Sequence, residues 1–275
     1  MRGELKDSQN LHSHTVYCDG TLTPEEMVRA AIEKGCGSFG LSGHSYAPFD
    51  TKHCMSLEDT RRYLDDSVRL KEKYAGEIEL FFGIEQDYYS EGPPAGYDFV
   101  IGSVHYLKIG DKFVTVDGGA RSQKMVVDEY FGGDYYAMAE EYFAAVADIG
   151  ITGADIVGHF DLVKKYCFDG NLFDETDPRY VAAAMDAMGE ILKERNLFEV
   201  NTGAMFRLGK PDQYPSTVFL KELHKRGGEV ILSSDSHDAE SICWKFDEMA
   251  ELLKACGFSH IKRLTGDGFI NVDLK

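Results

Sequence analysis

The chain has 275 residues, 43% of them hydrophobic, enough for one large domain or two small ones and too apolar for a disordered chain. Lys and Arg number 29 against 47 Asp and Glu, a formal balance of −18, so neither a nucleic-acid backbone nor an anionic membrane is expected as the main partner. The six cysteines include no Cys-x-x-Cys pair, residues 1–7 hold no apolar run, and no stretch approaches the ~20 apolar residues of a membrane span; a reduced, cytoplasmic protein with neither export signal nor anchor is expected.

Strand and helix signals alternate along the chain. Leu11–Val16 reads as a first strand. Thr23-Pro24-Glu25-Glu26 is a capping box with proline at the first helical position, opening a helix to about Lys34 that Gly35 and Gly37 end. Ser38–His44 is a second strand, and a loop with Pro48, Asp50 and His53 follows. Ser56 caps a helix over Leu57–Tyr74, and Ile78–Glu85 is a third strand. Phe99–His105 is a fourth. An insertion then carries a hairpin around Gly110-Asp111 and helices near Gln123–Phe131 and Tyr135–Ile149. Asp155–His159 is a fifth strand, Asp177-Pro178 opens a helix to about Arg195, and Leu197–Asn201 is a sixth strand. A helix over Ser216–Arg226 stops at Gly227-Gly228, Glu229–Ser234 is a seventh strand, and a helix is expected from about Ala239 to Ala255. Ile261–Val272 reads as an irregular closing strand. There is no linker and no repeat, so residues 1–275 read as one domain. Seven strand–helix alternations without a Gly-x-Gly-x-x-Gly after the first strand favour a parallel α/β barrel over a dinucleotide-binding fold.

Chemistry in such barrels gathers at the C-terminal strand ends. In this chain those ends carry His12 and His14, with Asp19 in the loop beyond, then His44, Glu85, His105, His159, Asn201 and Asp235-Ser236-His237. Six of the nine histidines therefore fall at predicted strand ends, whereas His53, His224 and His260 lie elsewhere. His12 and His14 are one residue apart on a strand and so share a face. Nitrogen and carboxylate donors without thiolate suit zinc, manganese or iron, and there are more of them than one ion needs. Glu85, placed centrally, has two oxygens with which to bridge two metals.

These motifs resemble the PHP superfamily, named for polymerase and histidinol phosphatase, and most of all its histidinol-phosphate phosphatase branch. The resemblance rests on His12-Ser13-His14, Gly43-His44, Gly83-Ile84-Glu85, Gly102-Ser103-Val104-His105, Gly158-His159-Phe160-Asp161, Glu199-Val200-Asn201-Thr202 and Ser234-Asp235-Ser236-His237, in the family's order across most of the chain. It implies a distorted (β/α)7 barrel with two to three divalent ions. His12, His14, Glu85 and Asp235 would hold the first, Glu85, His105 and His159 the second, and Asp19, His44 and His237 the third. The family often carries a histidine near position 19 or 20. Here Cys18, Asp19 and Gly20 stand instead, so Asp19 is expected as the ligand and Cys18 is the alternative.

Clustered metals suit in-line hydrolysis of a phosphate monoester by a metal-bridging hydroxide. The expected partner is a small-molecule phosphate ester, and L-histidinol phosphate is the substrate the resemblance implies. The −18 balance would then require local cations to reverse the field in the site. Arg207, just past the sixth strand, is a candidate phosphate-binding group. Asp161 could protonate the leaving alkoxide or orient a ligand histidine; the second is preferred. Asn201 and His53 are candidate substrate contacts. Another phosphate ester or a phosphodiester as substrate, and a non-catalytic metal-binding module, are the alternatives. Oligomeric state is not legible in the sequence.

Overall fold

The computed structural model describes residues 8–91, 95–167 and 172–274; the segment read for a leader, residues 1–7, lies outside them. The strands are β1 (Gln9–Asn10), β2 (Ser38–Leu41), β3 (Glu79–Phe82), β4 (Ile84–Asp87), β5 (Val100–Ser103), β6 (Tyr106–Ile109), β7 (Lys112–Thr115), β8 (Ile156–Val157), β9 (Leu197–Asn201), β10 (Glu229–Ser233), β11 (His260–Thr265) and β12 (Gly268–Asp273). The helices are α1 (Pro24–Lys34), α2 (Leu57–Lys73), α3 (Ala120–Tyr130), α4 (Tyr135–Ala147), α5 (Pro178–Ile191), α6 (Gly203–Leu208), α7 (Thr217–Lys225) and α8 (Phe246–Cys256).

The fold is α/β with parallel sheets. One runs β1-β2-β3 and a second runs β10-β9-β8-β5-β4, with hairpins β6-β7 and β11-β12 added. The chain passes between the two sheets at Gly83, where the expected strand Ile78–Glu85 divides. β3 pairs with β2 from Ser38↔Glu79 to Leu41↔Phe82, whereas β4 pairs with β5 from Ile84↔Val100 to Asp87↔Ser103. A Cβ on Gly83 would stand 2.4 Å from the Phe99 ring, so only glycine lets that ring pack against the backbone at the crossing. Isolated parallel bridges, His44↔Glu85 and Ser13↔Ser236, continue the pairing beyond the strands.

Helix starts follow the capping chemistry. The Thr23 side chain accepts from Glu26 N while the Glu26 side chain accepts from the Thr23 backbone, and α1 ends at Gly35 in the left-handed conformation. The Ser56 side chain caps α2 by accepting from Asp59 N, and the Asp177 side chain caps α5 by accepting from Arg179 N. Differences arise where local backbone departs from periodicity. The helix expected from Ala239 begins only at Phe246, because Cys243 and Lys245 take positive φ (55° and 59°) and the turn is tied down by Asp238 and Ser234. The first strand is Gln9–Asn10 and precedes the expected Leu11–Val16, which pairs only at isolated points: Ser42 N donates to Ser13 O on one side and His14 N to Ser236 O on the other. The C-terminal segment is a regular antiparallel hairpin. Arg207 lies on α6, a six-residue helix rather than a loop.

Strand alternation sorts the side chains by depth. Leu11, Phe81, Phe99, Ile101, Ile156, Leu197, Ile231 and Leu264 form one compact apolar cluster, nearly one residue per strand. Their neighbours of opposite parity, such as Phe82, Val100, Val157, Phe198, Val200, Val230 and Leu232, join the larger cluster packed by the helices. Moving two residues along the inner face leads from Leu197 to Glu199 and Asn201, and from Ile101 to Ser103. An apolar floor thus gives way to buried polar groups at the C-terminal strand ends.

Because Gly83 has no room for a methyl group, Gly83→Ala should cost about 1–3 kcal/mol of stability by overpacking. Urea unfolding should show this as a lower midpoint, and the double variant Gly83→Ala with Phe99→Leu should recover part of it.

Candidate metal centre

The polar layer converges on Glu85, buried at 1% exposure. Its Oε1 accepts from Ser103 Oγ at 2.7 Å and lies 2.8 Å from His159 Nε2 and 3.4 Å from His105 Nε2. Its Oε2 lies 3.0 Å from His44 Nδ1, 3.1 Å from His12 Nε2 and 3.4 Å from His14 Nε2. Asp235 Oδ1 stands 3.2 Å from His14 Nε2, 3.5 Å from His237 Nδ1 and 3.7 Å from His12 Nε2. Asp19 faces His237 Nε2 at 3.2 Å, His14 Nδ1 at 3.5 Å and His44 Nε2 at 3.7 Å. All nine residues read as candidate ligands are therefore brought together, from elements spread over the whole chain.

Two backbone features permit this convergence. Asp235 sits at φ 45°, a left-handed conformation that is costly for a residue with a Cβ and is held by its surroundings. Gly20 packs so closely that a Cβ there would lie 2.5 Å from the His14 carbonyl carbon. A histidine at position 20 would not fit, and Asp19 reaches His44 and His237 in its place. Cys18 Sγ lies 3.5 Å from His14 Nδ1, outside the donor groups that Asp19 joins, and burial pushes its thiol up.

Electrostatics and hydrogen bonding both fit a cation. His12 Nε2, His14 Nε2, Glu85 Oε2 and Asp19 Oδ1 are buried without a well-directed hydrogen bond, an expensive state for so many polar atoms at one place. Three groups have donor atoms within 4.8 Å of one another: His14, Asp19, His44 and His237; His12, His14 and Asp235; and His44, Glu85 and His105. Burial, with His237 and His44 alongside, pushes His14 down to about 3, leaving the neutral imidazole that ligates metals. Burial also disfavours charge on His12, but Glu199, Glu85 and Asp235 outweigh it and hold the group above its ordinary value. For Glu85 burial pushes up, and His12, His44 and His105 more than reverse it, keeping the carboxylate ionised.

These groups open into a cavity of about 490 Å3. Arg207 lines it: Nη1 donates to the Asp235 backbone carbonyl and lies 2.9 Å from His237 Nδ1, and Nη2 donates to Asp235 Oδ2 at 2.9 Å. His53 lines the outer rim, half-exposed, with Nδ1 2.8 Å from Asp50 Oδ2. Asn201 and Asp161 are fully buried and do not line the cavity. Asn201 Nδ2 donates to Glu199 Oε1 at 2.8 Å and its Oδ1 accepts from Gly203 N, fixing the start of α6. Asp161 Oδ2 accepts from Ser216 N and Oγ at 2.9 and 2.6 Å, with Lys164 Nζ 3.5 Å away.

Sequence reasoning left four participants without a role. Glu199 accepts from His159 N at 2.6 Å and holds His12 Nδ1 at 2.8 Å, so one buried carboxylate orients two candidate ligands. Asp87 accepts from His105 N at 3.0 Å and lies 3.3 Å from its Nδ1. Strand parity carried a signal for both, since Glu199 is two residues before Asn201 and Asp87 two after Glu85. Asp117 and Lys165, paired at 3.0 Å on the cavity wall, come from the insertion and a 3-10 turn, where periodicity marks nothing.

The PHP domain family model matches residues 10–203. The chain is 26% identical over 258 residues to the "Probable histidinol-phosphatase" of Deinococcus radiodurans, covering 90% of this chain and 92% of that one. It is 22% identical over 267 residues to the histidinol-phosphatase of Bacillus subtilis, with 87% and 97% covered. Among solved structures, the hisK protein of Listeria monocytogenes matches with a TM-score of 0.77 at 21% identity, over 88% of this chain and 99% of that one. The histidinol phosphate phosphatase of Lactococcus lactis, complexed with zinc, L-histidinol and phosphate, matches with a TM-score of 0.67 at 22% identity, over 96% and 99%.

Removing the Glu199 charge while keeping its shape tests its hold on the His12 ring and the His159 backbone. Glu199→Gln should weaken divalent-metal affinity about 10- to 100-fold, read by isothermal titration of metal into the metal-free protein.

Proposed function

This chain belongs to the PHP domain family, and from that premise we propose that it is a metal-dependent histidinol-phosphatase, a phosphoric monoester hydrolase that converts L-histidinol phosphate to L-histidinol and phosphate in histidine biosynthesis. The observation that carries the reading is the convergence of six imidazoles with the carboxylates Asp19, Glu85 and Asp235, beside Arg207.

Divalent ions held there would lower the pKa of water and offset the charge of phosphoryl oxygens during in-line displacement. We assign three: the first to His12, His14, Glu85 and Asp235, the second to Glu85, His105 and His159, and the third to Asp19, His44 and His237. The three clusters of donor atoms among the described residues support this division in outline, with His14 and His44 each in two of them, and the contacts of Glu85 with His12 at 3.1 Å and His159 at 2.8 Å support the remaining assignments. Zinc, manganese and iron all suit the donor set.

The chain's own groups do the rest. Arg207 is kept against Asp235 and His237 and offers its remaining N–H groups to the phosphate. Glu199 holds the His12 ring and the His159 backbone, and Asp87 holds the His105 ring, so little ordering is left for the moment of reaction. Asn201 braces Glu199, and Asp161 fixes Ser216 beneath the site; both act as positioning residues rather than substrate contacts.

The two parallel sheets share the Gly83 crossing, and the Ser13↔Ser236 bridge links the start of one to the end of the other, which supports a distorted (β/α)7 barrel forming one domain over residues 1–275. Among the described residues no helix is long and apolar enough to cross a membrane, and all six cysteines are free, in keeping with a cytoplasmic location.

Phosphate release from L-histidinol phosphate, beside a panel of other phosphomonoesters, tests the reading on protein loaded with zinc or manganese. We expect strong preference for histidinol phosphate, loss of turnover with chelator and in Glu85→Ala, and a fall in kcat/KM of about a hundredfold in Arg207→Ala. Equal, weak turnover of every ester would remove the substrate, and bound metal with no turnover of any ester would remove the enzyme.

A further inference from the structure

The cavity has two unlike ends. The inner one is the ligand cluster with Arg207. The outer one is a rim built by two segments distant in sequence, the loop after β2 and the hairpin β6-β7. Phe49 and Phe113 stack across the junction with centroids 3.9 Å apart, and Tyr106 meets Phe49 edge-on at 4.9 Å. Tyr106 Oη donates to Asp50 Oδ2 at 2.5 Å, and the Asp50 carboxylate also accepts from the backbone N–H groups of Lys52 and His53. Phe49, Asp50, Tyr106 and Phe113 are all part-buried and all line the cavity.

The nine candidate ligands and Arg207 lie outside this rim, and its carboxylate would repel a phosphate. Six carboxylates line the whole cavity (Asp19, Asp50, Glu85, Asp87, Asp117 and Asp235), against two fixed cations, Arg207 and Lys165. Arg207 is engaged at Asp235 and Lys165 at Asp117, so among the described residues no lysine or arginine side chain bonds to the Asp50 carboxylate. Lys108 Nζ lies 5.7 Å from the Phe113 centroid but does not line the cavity. Burial pushes the Asp50 carboxyl up, but Tyr106, His53 and the backbone donors bring it down to about 2, so it stays ionised across the working range. Aromatic faces beside a fixed carboxylate suit a flat organic cation, which gains both from the ring quadrupoles and from the charge.

Resting on the phosphatase reading above, we propose that Phe49, Asp50, Tyr106 and Phe113 form the subsite for the organic end of the ester and select a planar, cationic leaving alcohol over a neutral one. The phosphate end is then read by Arg207 and the metal cluster, and the two ends of the cavity divide recognition of one substrate by charge. The imidazole and amine of histidinol phosphate meet that description.

The test compares kcat/KM for L-histidinol phosphate and for glycerol 2-phosphate, an ester of a neutral alcohol, on the metal-loaded enzyme. Wild type should prefer the cationic ester. In Asp50→Asn the ratio of the two kcat/KM values should fall about tenfold, chiefly through KM for histidinol phosphate, and Asp50→Glu should restore part of it. Phe49→Leu, which keeps bulk without an aromatic face, should lower the ratio about threefold and decides the matter if Asp50→Asn does not fold. L-Histidinol alone, titrated as a competitive inhibitor, should lose affinity in step. An unchanged ratio in both Asp50→Asn and Phe49→Leu overturns the subsite and leaves the phosphatase standing. A wild type that turns over glycerol 2-phosphate as well as histidinol phosphate overturns the subsite and the histidinol phosphate assignment together, and leaves a phosphatase without that preference.

Discussion

Glu85 is the carboxylate the rest of the site depends on. A carboxylate at 1% exposure is unstable alone, and burying it beside Asp235 and Glu199 adds repulsion to desolvation. Five imidazoles within 3.4 Å of its two oxygens, and the Ser103 hydroxyl, supply the compensation. Those partners arrive from the ends of four different strands or strand extensions, so the carboxylate is satisfied only when the sheets are assembled. Protons and metal ions compete for the same donor atoms, which is how one cluster serves both folding and chemistry.

What positions the imidazoles is one step further out. The strands alternate, so an apolar floor beneath the site, from Leu11 to Leu264, sets the height at which the polar layer begins. Glu199 and Asn201 lie in that layer away from the cavity, and Asp87 lies on the cavity wall; between them they hold rings and backbone in place. Asn201 links this layer to α6, so the same residue that braces Glu199 also sets the start of the helix that carries Arg207.

A protein with a balance of −18 that binds a phosphate ester must reverse its own field locally. The cavity does not do so with protein groups, since carboxylates outnumber lysine and arginine six to two along its walls. Metal ions account for the reversal at the inner end. At the outer end the negative field is left in place, which is a defect for an anion but an advantage for an ester whose other end is cationic.

The sequence by itself determined the strand–helix order, the capped helix starts, and all nine candidate ligands. The reason is that periodicity, caps and strand ends are local, and a ligand at a strand end can be read one strand at a time. It also held the signal for Glu199 and Asp87, two residues from named positions on the same strands, although that signal does not say which ring each one holds. Tertiary structure alone decided the rest. The split of the third strand at Gly83 depends on where the Phe99 ring sits, and the late start of α8 depends on bonds from Asp238 and Ser234 that no helical period encodes. Asp161 and Asn201 looked like site residues by position, but their side chains turn to Ser216, Glu199 and Gly203. The Asp117–Lys165 pair and the Phe49–Phe113 stack join segments about 50 to 60 residues apart, and contacts between distant segments are fixed by packing, which a linear pattern does not contain.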